Sequence, residues 1–376
     1  MKTTHGTYLL RRFILGAALS AGLGFATHAP AQERGYLIDL NSKTAIALGN
    51  LYPKAINNIG QVVGGIDPFG YGHAFITGAN GVGMSDLGTL GGNFSFAYDI
   101  NDAGQVVGVS GTSANEYKAF VTGPDGAGIR DLDAPPLGGY SLAINNSGQV
   151  VGTTESGGEF NGFITGPDGV GLRTLSTLTG ATGINDSGQV VGSFSAPFNG
   201  ASNAAITGPD GVGARDLGSL GDGGGSFAID INNTGQVVGG SSLSPGDVSH
   251  AFITGPDGAG MRELGTLGGG YSSVDGINDA GQVVGAFSTS SGDHAFITGP
   301  DGVGMTDLNS LVDLPDGVIL TRATDINNEG QVIAIAMASS IPEPEGYAML
   351  LAGLGLVGFA VRRKIWIHGS INKSMG

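Results

Sequence analysis

The string Gly-Gln-Val-(Val/Ile) recurs seven times, its glutamine at Gln61, Gln105, Gln149, Gln189, Gln236, Gln282 and Gln331. The intervals are 44, 44, 40, 47, 46 and 49 residues, so the chain is an array of units of one design. Such a unit is too small to bury a core alone, and it must pack on its neighbours. Upstream of each glutamine lies Ile-Asn-(Asn/Asp)-x-Gly, as at 100–104. Downstream comes His-Ala-Phe-Ile-Thr-Gly, clearest at 73–78, and then a fourth string of the type Met-Arg-Glu-Leu at 261–264.

These strings read as short strands joined by tight turns. Gly-Pro-Asp-Gly occurs at 123–126, 166–169, 208–211, 255–258 and 299–302, and Gly78-Ala79-Asn80-Gly81 takes its place in the first unit. Proline presets φ for a first corner, aspartate bonds back to the backbone, and glycine accepts positive φ. Four strands in about 45 residues is the size of a propeller blade. Runs such as Val-Val-Gly lack a polar face, as expected of strands covered on both sides. The expected fold is all-β, a seven-bladed β-propeller over residues 32–340. A solenoid is the rival, but glycine turns of this kind make hairpins rather than parallel coils. The segment Tyr36–Leu40 matches the fourth string, and Asp325–Ala338 lacks outer partners. The two termini are therefore expected to share the last blade and close the ring.

The units resemble the HAF repeat, a family of extracellular repeats, through His-Ala-Phe at 73–75, 250–252 and 294–296. The resemblance covers residues 36–336 and implies an outer-surface location without a defined activity.

The two ends read as addresses. Lys2, Arg11 and Arg12 precede an apolar run from Phe13 to Phe25, and Ala29-Pro30-Ala31 offers a signal-peptidase site before Gln32. Residues 1–31 are thus expected to be a signal peptide with a helical core. At the other end, Pro342-Glu343-Pro344 is followed by an uncharged stretch, Gly346 to Val361, and then Arg362-Arg363-Lys364. A helix there would be apolar all round and end in three cations, as membrane segments do. This pattern closely resembles the PEP-CTERM sorting tail of Gram-negative bacteria that make exopolysaccharide. The resemblance implies that residues 341–376 form a sorting segment with a transmembrane helix. It also implies that an exosortase recognises Pro342, Glu343 and Pro344, and that the cations hold the cytoplasmic side.

Charge and composition close off several functions. The first 31 residues carry three cations and residues 342–376 a surplus of two, so residues 32–341 carry −21 where the whole chain carries −16. That excludes nucleic-acid backbone binding. The chain has no cysteine, so thiolate metal sites and cysteine nucleophiles are absent. His73, His250 and His294 hold one place in separate units, which Lys118, Asn161 and Asn203 fill elsewhere, so packing or hydrogen bonding is expected of them rather than a metal. Asp125, Asp168, Asp210, Asp257 and Asp301 sit in turns without the converging ligands of a calcium loop. No catalytic or cofactor string appears. The non-repeating segments Thr153–Phe160, Phe194–Ser202 and Ser241–Ser249, with Tyr71, Tyr117, Phe160 and Phe198, are the candidate binding rim.

The expectation is an exported protein, without cofactor, of the cell surface or exopolysaccharide matrix. It acts by structure or binding rather than catalysis, with exosortase, signal peptidase, the membrane and surface glycans as partners. The alternatives are a propeller lyase or hydrolase acting on extracellular polysaccharide, and a calcium-dependent adhesin.

Overall fold

The computed structural model describes residues 32–66, 72–114, 116–135, 137–195, 202–222 and 224–338. The expected signal helix, with Ala29 and Ala31, lies outside them, as do Tyr71, Phe198 and the whole sorting segment from Pro342 to Lys364. Gln32 is the first described residue and opens a strand. No helix among the described residues is long and apolar enough to cross a membrane.

Seven four-stranded sheets make a β-propeller. The first blade runs outward through Tyr52–Ile56, Val62–Gly65, Ala74–Ile76 and Ser85–Gly88. The next five repeat that order, from inner strands Gly91–Ile100, Leu137–Ile144, Gly180–Ile184, Ser226–Ile231 and Ser272–Ile277. In the seventh blade Val318–Ile326 is innermost, followed by Gln331–Ala338, Gln32–Asp39 and Thr44–Gly49. Both ends of the domain thus share one sheet, as expected. The N-terminal strand nevertheless takes the third place, not the fourth. Leu37 and Ile38 are fully buried there, as Phe75 and Phe120 are in their own third strands. The outer place falls to Thr44–Gly49, a segment without a repeat string.

Each conserved-looking string has a packing reason within the molecule itself. The third-strand Phe75, Phe120, Phe163, Phe252 and Phe296 are fully buried, and Phe120 packs among Ala55, Val63, Ala74 and Ile76 of the preceding blade. The threonine that follows accepts the first amide of the second strand, as in Val106 N–H to Thr122 Oγ1 at 2.9 Å and Val190 N–H to Thr207 Oγ1 at 2.8 Å. The glycine of Val-Val-Gly is forced by the inner strand. A Cβ on Gly239 would lie 2.0 Å from the Phe227 carbonyl oxygen. In the Pro-Asp-Gly turns both corners have positive φ, +54° at Asp125 and +73° at Gly126, closed by Ala127 N–H to Pro124 O at 3.0 Å. Proline therefore precedes the corners instead of forming the first one. Short aspartate and glycine tolerate this left-handed pair where other residues are strained.

Blade is joined to blade by a closed ring of asparagines. The Nδ2 of Asn57 donates to the carbonyl of Asn101 at 3.1 Å, Asn101 to Asn145, Asn145 to Asn185 and Asn185 to Asn232, each at 3.1 Å. Asn232 continues to Asn278 at 3.0 Å, Asn278 to Asn327 at 3.2 Å, and Asn327 back to Asn57 at 2.9 Å. Within each blade the same amide holds the repeat glutamine: Asn101 Oδ1 accepts Gln105 N–H at 2.9 Å, and Asn101 Nδ2 donates to Gln105 Oε1 at 2.8 Å. The glutamine then crosses to the next blade's turn, as in Gln236 Nε2 to Asp301 Oδ1 at 3.0 Å. Gln331 closes that set on Asn80 Oδ1 at 2.9 Å. The turn aspartates thus serve the neighbouring blade rather than their own backbone.

Deleting residues 32–49 leaves the last sheet two-stranded, so the single cooperative thermal transition of the intact protein should be lost. Asn185→Ala strands a buried amide and a buried carbonyl, and should destabilise the protein by about 2–4 kcal/mol in denaturant unfolding. A surface substitution such as Val212→Ala should stay within about 0.5 kcal/mol.

Candidate functional site

The inner strands line an axial channel whose levels are set by distance along the chain from the ring asparagine. One residue after it, a second belt closes the channel's narrow end: Asn58, Asp102, Asn146, Asp186, Asn233, Asp279 and Asn328. Each backbone N–H donates to the next side chain, from Asn58 to Asp102 Oδ1 at 3.0 Å round to Asn328 to Asn58 Oδ1 at 2.9 Å. The acids alternate with amides. Asp102 Oδ2 accepts from both Asn58 Nδ2 at 3.0 Å and Asn146 Nδ2 at 3.2 Å, so no two carboxylates are adjacent.

Two and three residues before the asparagine, the strand bulges. The register slips at Lys54, Tyr98, Thr182, Ile229, Asp275 and Thr324. A bulge re-aims side chains, and successive residues such as Tyr98 and Asp99, or Thr324 and Asp325, line the same space of about 220 Å³. The position two before the asparagine reads Ala55, Asp99, Ala143, Gly183, Asp230, Gly276 and Asp325. Each aspartate bridges two blades. Asp99 accepts Ile100 N–H and, from the next blade, Ile144 N–H, both at 2.8 Å. Asp230 does so with Ile231 at 2.8 Å and Ile277 at 3.1 Å, and Asp325 with Ile326 at 2.7 Å and Ile56 at 2.9 Å.

These three carboxyls are half-buried and line the channel. Burial pushes Asp99 up to about 7, against the pull of its two amide bonds, with Asp230 raising it further and Lys54 lowering it. Burial likewise raises Asp230 to about 6, and it holds Asp325 well above the ordinary range, reinforced by the charges of Asp230 and Asp99. Lys54 is the one cation lining this stretch, and it makes no ion pair among the described residues.

Toward the opposite end the channel opens into a one-sided cleft of about 640 Å³. Blades six, seven, one and two form it, with Tyr271, Tyr52 and Phe96 as aromatic walls and Ile335 and Met337 as apolar floor. Arg322 grips Asp275 with both arms, Nε to Oδ2 at 2.8 Å and Nη2 to Oδ1 at 2.5 Å. Asp275 is 8% exposed and Arg322 49%, so the guanidinium keeps a face toward solvent while its charge stays fixed. Asp293 and Lys54 complete a lining with two charges of each sign.

The histidines lie elsewhere, between third and outer strands. His73 meets Asp86, His250 meets Glu263 and His294 meets Asp307, each at 2.8 Å. Lys118–Asp131 at 2.6 Å and Asn203–Asp216 at 3.0 Å repeat the pairing. These residues do hydrogen-bond across the strand edge. The candidate rim of variable hairpins is partly described: Tyr117 is exposed and edge-on to Phe94, and Phe160 lines a separate open cleft with Thr153, Asn161 and Thr182. Lys54, Asp99, Asp230, Asp275, Arg322 and Asp325 were not singled out by the repeat pattern. Their signal was present as departures from it, since only three of seven units carry aspartate two before the asparagine.

A family model for the PEP-CTERM protein-sorting motif matches residues 340–364. That motif implies export, a membrane-anchored sorting precursor and exosortase processing. No curated protein matches the chain. Among solved structures, an oligogalacturonate lyase from Vibrio parahaemolyticus is similar at TM-score 0.51 and 13% identity, over 84% of this chain and 99% of that one. The β-propeller domain of the Trilobed protease from Pyrococcus furiosus matches at TM-score 0.51 and 9% identity, over 77% and 90%. TolB from Acinetobacter baumannii matches at TM-score 0.46 and 11% identity, and this chain covers 66% of its length. At these identities the likeness is one of fold.

The raised carboxyls set a pH dependence. Between about pH 4 and 7 the folded protein holds protons that unfolded aspartates, with pKa about 3.9, have released. Stability therefore falls as pH rises through that window and levels off above it. The melting temperature should be about 5 °C higher at pH 5 than at pH 8. Asp99→Ala, which installs the residue found at 55 and 143, should flatten that slope. An unchanged slope in Asp99→Ala, Asp230→Ala and Asp325→Ala would overturn the assignment to these carboxyls.

Proposed function

We propose that this chain is an exported, HAF-like repeat protein of the cell surface or exopolysaccharide matrix, sorted through its C-terminal segment and acting by binding. The observation that carries the sorting half is the match of residues 340–364 to the PEP-CTERM motif. In the sequence, Pro342 and Pro344 each fix φ and bias the preceding residue away from helix, which suits a stretch read by a processing enzyme. Arg362, Arg363 and Lys364 favour the cytoplasmic side, which leaves the propeller outside.

The binding half is supported by a cleft with aromatic walls at the mouth of a rigid ring. A second reading, a lyase or hydrolase, draws on carboxyls with raised pKa in a channel, a frequent property of catalytic acids. Against it, Asp99, Asp230 and Asp325 each spend both oxygens on backbone amides of two blades. That is a structural occupation, and we place the protein with binders.

Expression with and without exosortase tests the sorting half. Mass spectrometry of the mature C-terminus should show loss of the segment beyond Pro344 only when exosortase is present. Gly376 retained in both strains would replace sorting with permanent anchoring.

A further inference from the structure

We infer that the cleft at the channel mouth is a subsite for an uncharged glycan chain, with Tyr271, Tyr52 and Phe96 as stacking platforms and the Arg322–Asp275 pair as its hydroxyl reader. This rests on the binding role proposed above and adds the chemical class of the ligand.

The argument starts from the mixture of surfaces. Sugar rings present flat C–H faces and a perimeter of hydroxyls, so a site for them needs aromatic planes beside fixed polar groups. The cleft has both. Its volume of about 640 Å³ lies within the range of small-ligand sites and suits a short oligosaccharide. Tyr271 is 39% exposed, while Tyr52 and Phe96 are half-buried, so rigid aromatic surface is on offer without an ordering cost.

The polar groups are fixed as well. Asp275 is held by the Nε and Nη2 of Arg322, which leaves the guanidinium's opposite edge, with Nη1, as an in-plane donor of fixed direction. Thr324, next along the wall, is itself anchored on the Pro53 carbonyl at 3.2 Å.

Charge selects among glycans. Lys54 and Arg322 are balanced by Asp275 and Asp293 in the cleft, so no net cation waits for a carboxylated sugar. Around the cleft, residues 32–341 carry −21 overall. A polyuronate approaching this mouth meets a repelling field, whereas a neutral chain does not.

The other open cleft, beside Phe160, makes an internal control. It has an exposed aromatic ring but neither a guanidinium nor a fixed ion pair among its lining residues.

Purified mature protein should be titrated calorimetrically with cellohexaose, maltohexaose, hexagalacturonate and hexaglucosamine. At least one neutral hexamer should bind, and Tyr271→Ala should weaken it about tenfold or more. Tyr271→Phe should restore most of the affinity, and Phe160→Ala should leave it unchanged. Circular dichroism of each variant separates lost binding from lost folding. Binding of hexagalacturonate or hexaglucosamine alone, dependent on Tyr271, overturns the neutral class and leaves the binding role standing. Neutral binding lost with Phe160 but not with Tyr271 moves the site and overturns the assignment. Binding of none of the four overturns both the ligand class and the glycan-binding role.

Discussion

The ring of asparagine amides from Asn57 to Asn327 is the bond set on which the propeller depends. Each Nδ2 donates at once to the next blade's main-chain carbonyl and to its own blade's glutamine, and each Oδ1 accepts that glutamine's N–H. Buried amides of this kind are costly when unmet, at roughly 1–3 kcal/mol per group. Blades that slide or tilt would break several of these bonds together. The ring therefore sets the angle between blades, and the glutamines carry that setting outward to the hairpin turns, as from Gln105 to Asp168.

Closure has a second consequence for the exposed belt below the ring. Seven is odd, so strict alternation of acid and amide round the belt is impossible, and two like residues must adjoin. They are Asn328 and Asn58, both neutral, and they meet where the last blade joins the first. Placing the mismatch between amides avoids a carboxylate pair. Each of Asp102, Asp186 and Asp279 keeps an amide donor on either side. Each belt carboxylate is thereby hydrogen-bonded by amides on both sides and faces no neighbouring carboxylate.

Much of this frame was legible in the residue order, because it is made of what repeats. The period gave seven units, the glycine turns gave hairpins, and Val-Val-Gly implied strands covered on both faces. Two features were not legible. The N-terminal strand passed for a fourth string because Asp-Leu at 39–40 imitates one, while burial of Leu37 and Ile38 shows that it replaces Ala-Phe-Ile. The proline turn was misread because Pro-Asp-Gly suits several turn types, and only the left-handed pair at Asp125 and Gly126 distinguishes them. The cleft itself escaped for a different reason. Its walls come from positions where the units disagree, so a search for sameness passes over them.

That division explains how one frame can carry a specific surface. The asparagine and its isoleucine neighbour recur in all seven blades and the bulge in six, so the channel's frame is set in the same way round the ring. The residue three before the asparagine changes from blade to blade: Lys54, Tyr98, Thr182, Ile229, Asp275 and Thr324 at bulges, and Leu142 in the third blade, where the register stays regular. Two positions further up the strand, Tyr52, Phe96, Phe227, Ser273 and Arg322 differ in the same way. Because the backbone at these levels is locked by bonds between blades, a substitution there alters chemistry without moving its neighbours. Thr182 and Thr324 even add to the lock, donating to the Ala228 and Pro53 carbonyls of the following blades. The cleft is lined by blades six, seven, one and two, whose aromatic residues and Arg322–Asp275 pair lie together there, while Leu142, Thr182 and Ile229 of blades three to five line the channel at the level of Lys54 and Asp275. A symmetrical ring thus presents an asymmetrical mouth, and a ligand there would be held in one orientation by the sector that can stack and hydrogen-bond it.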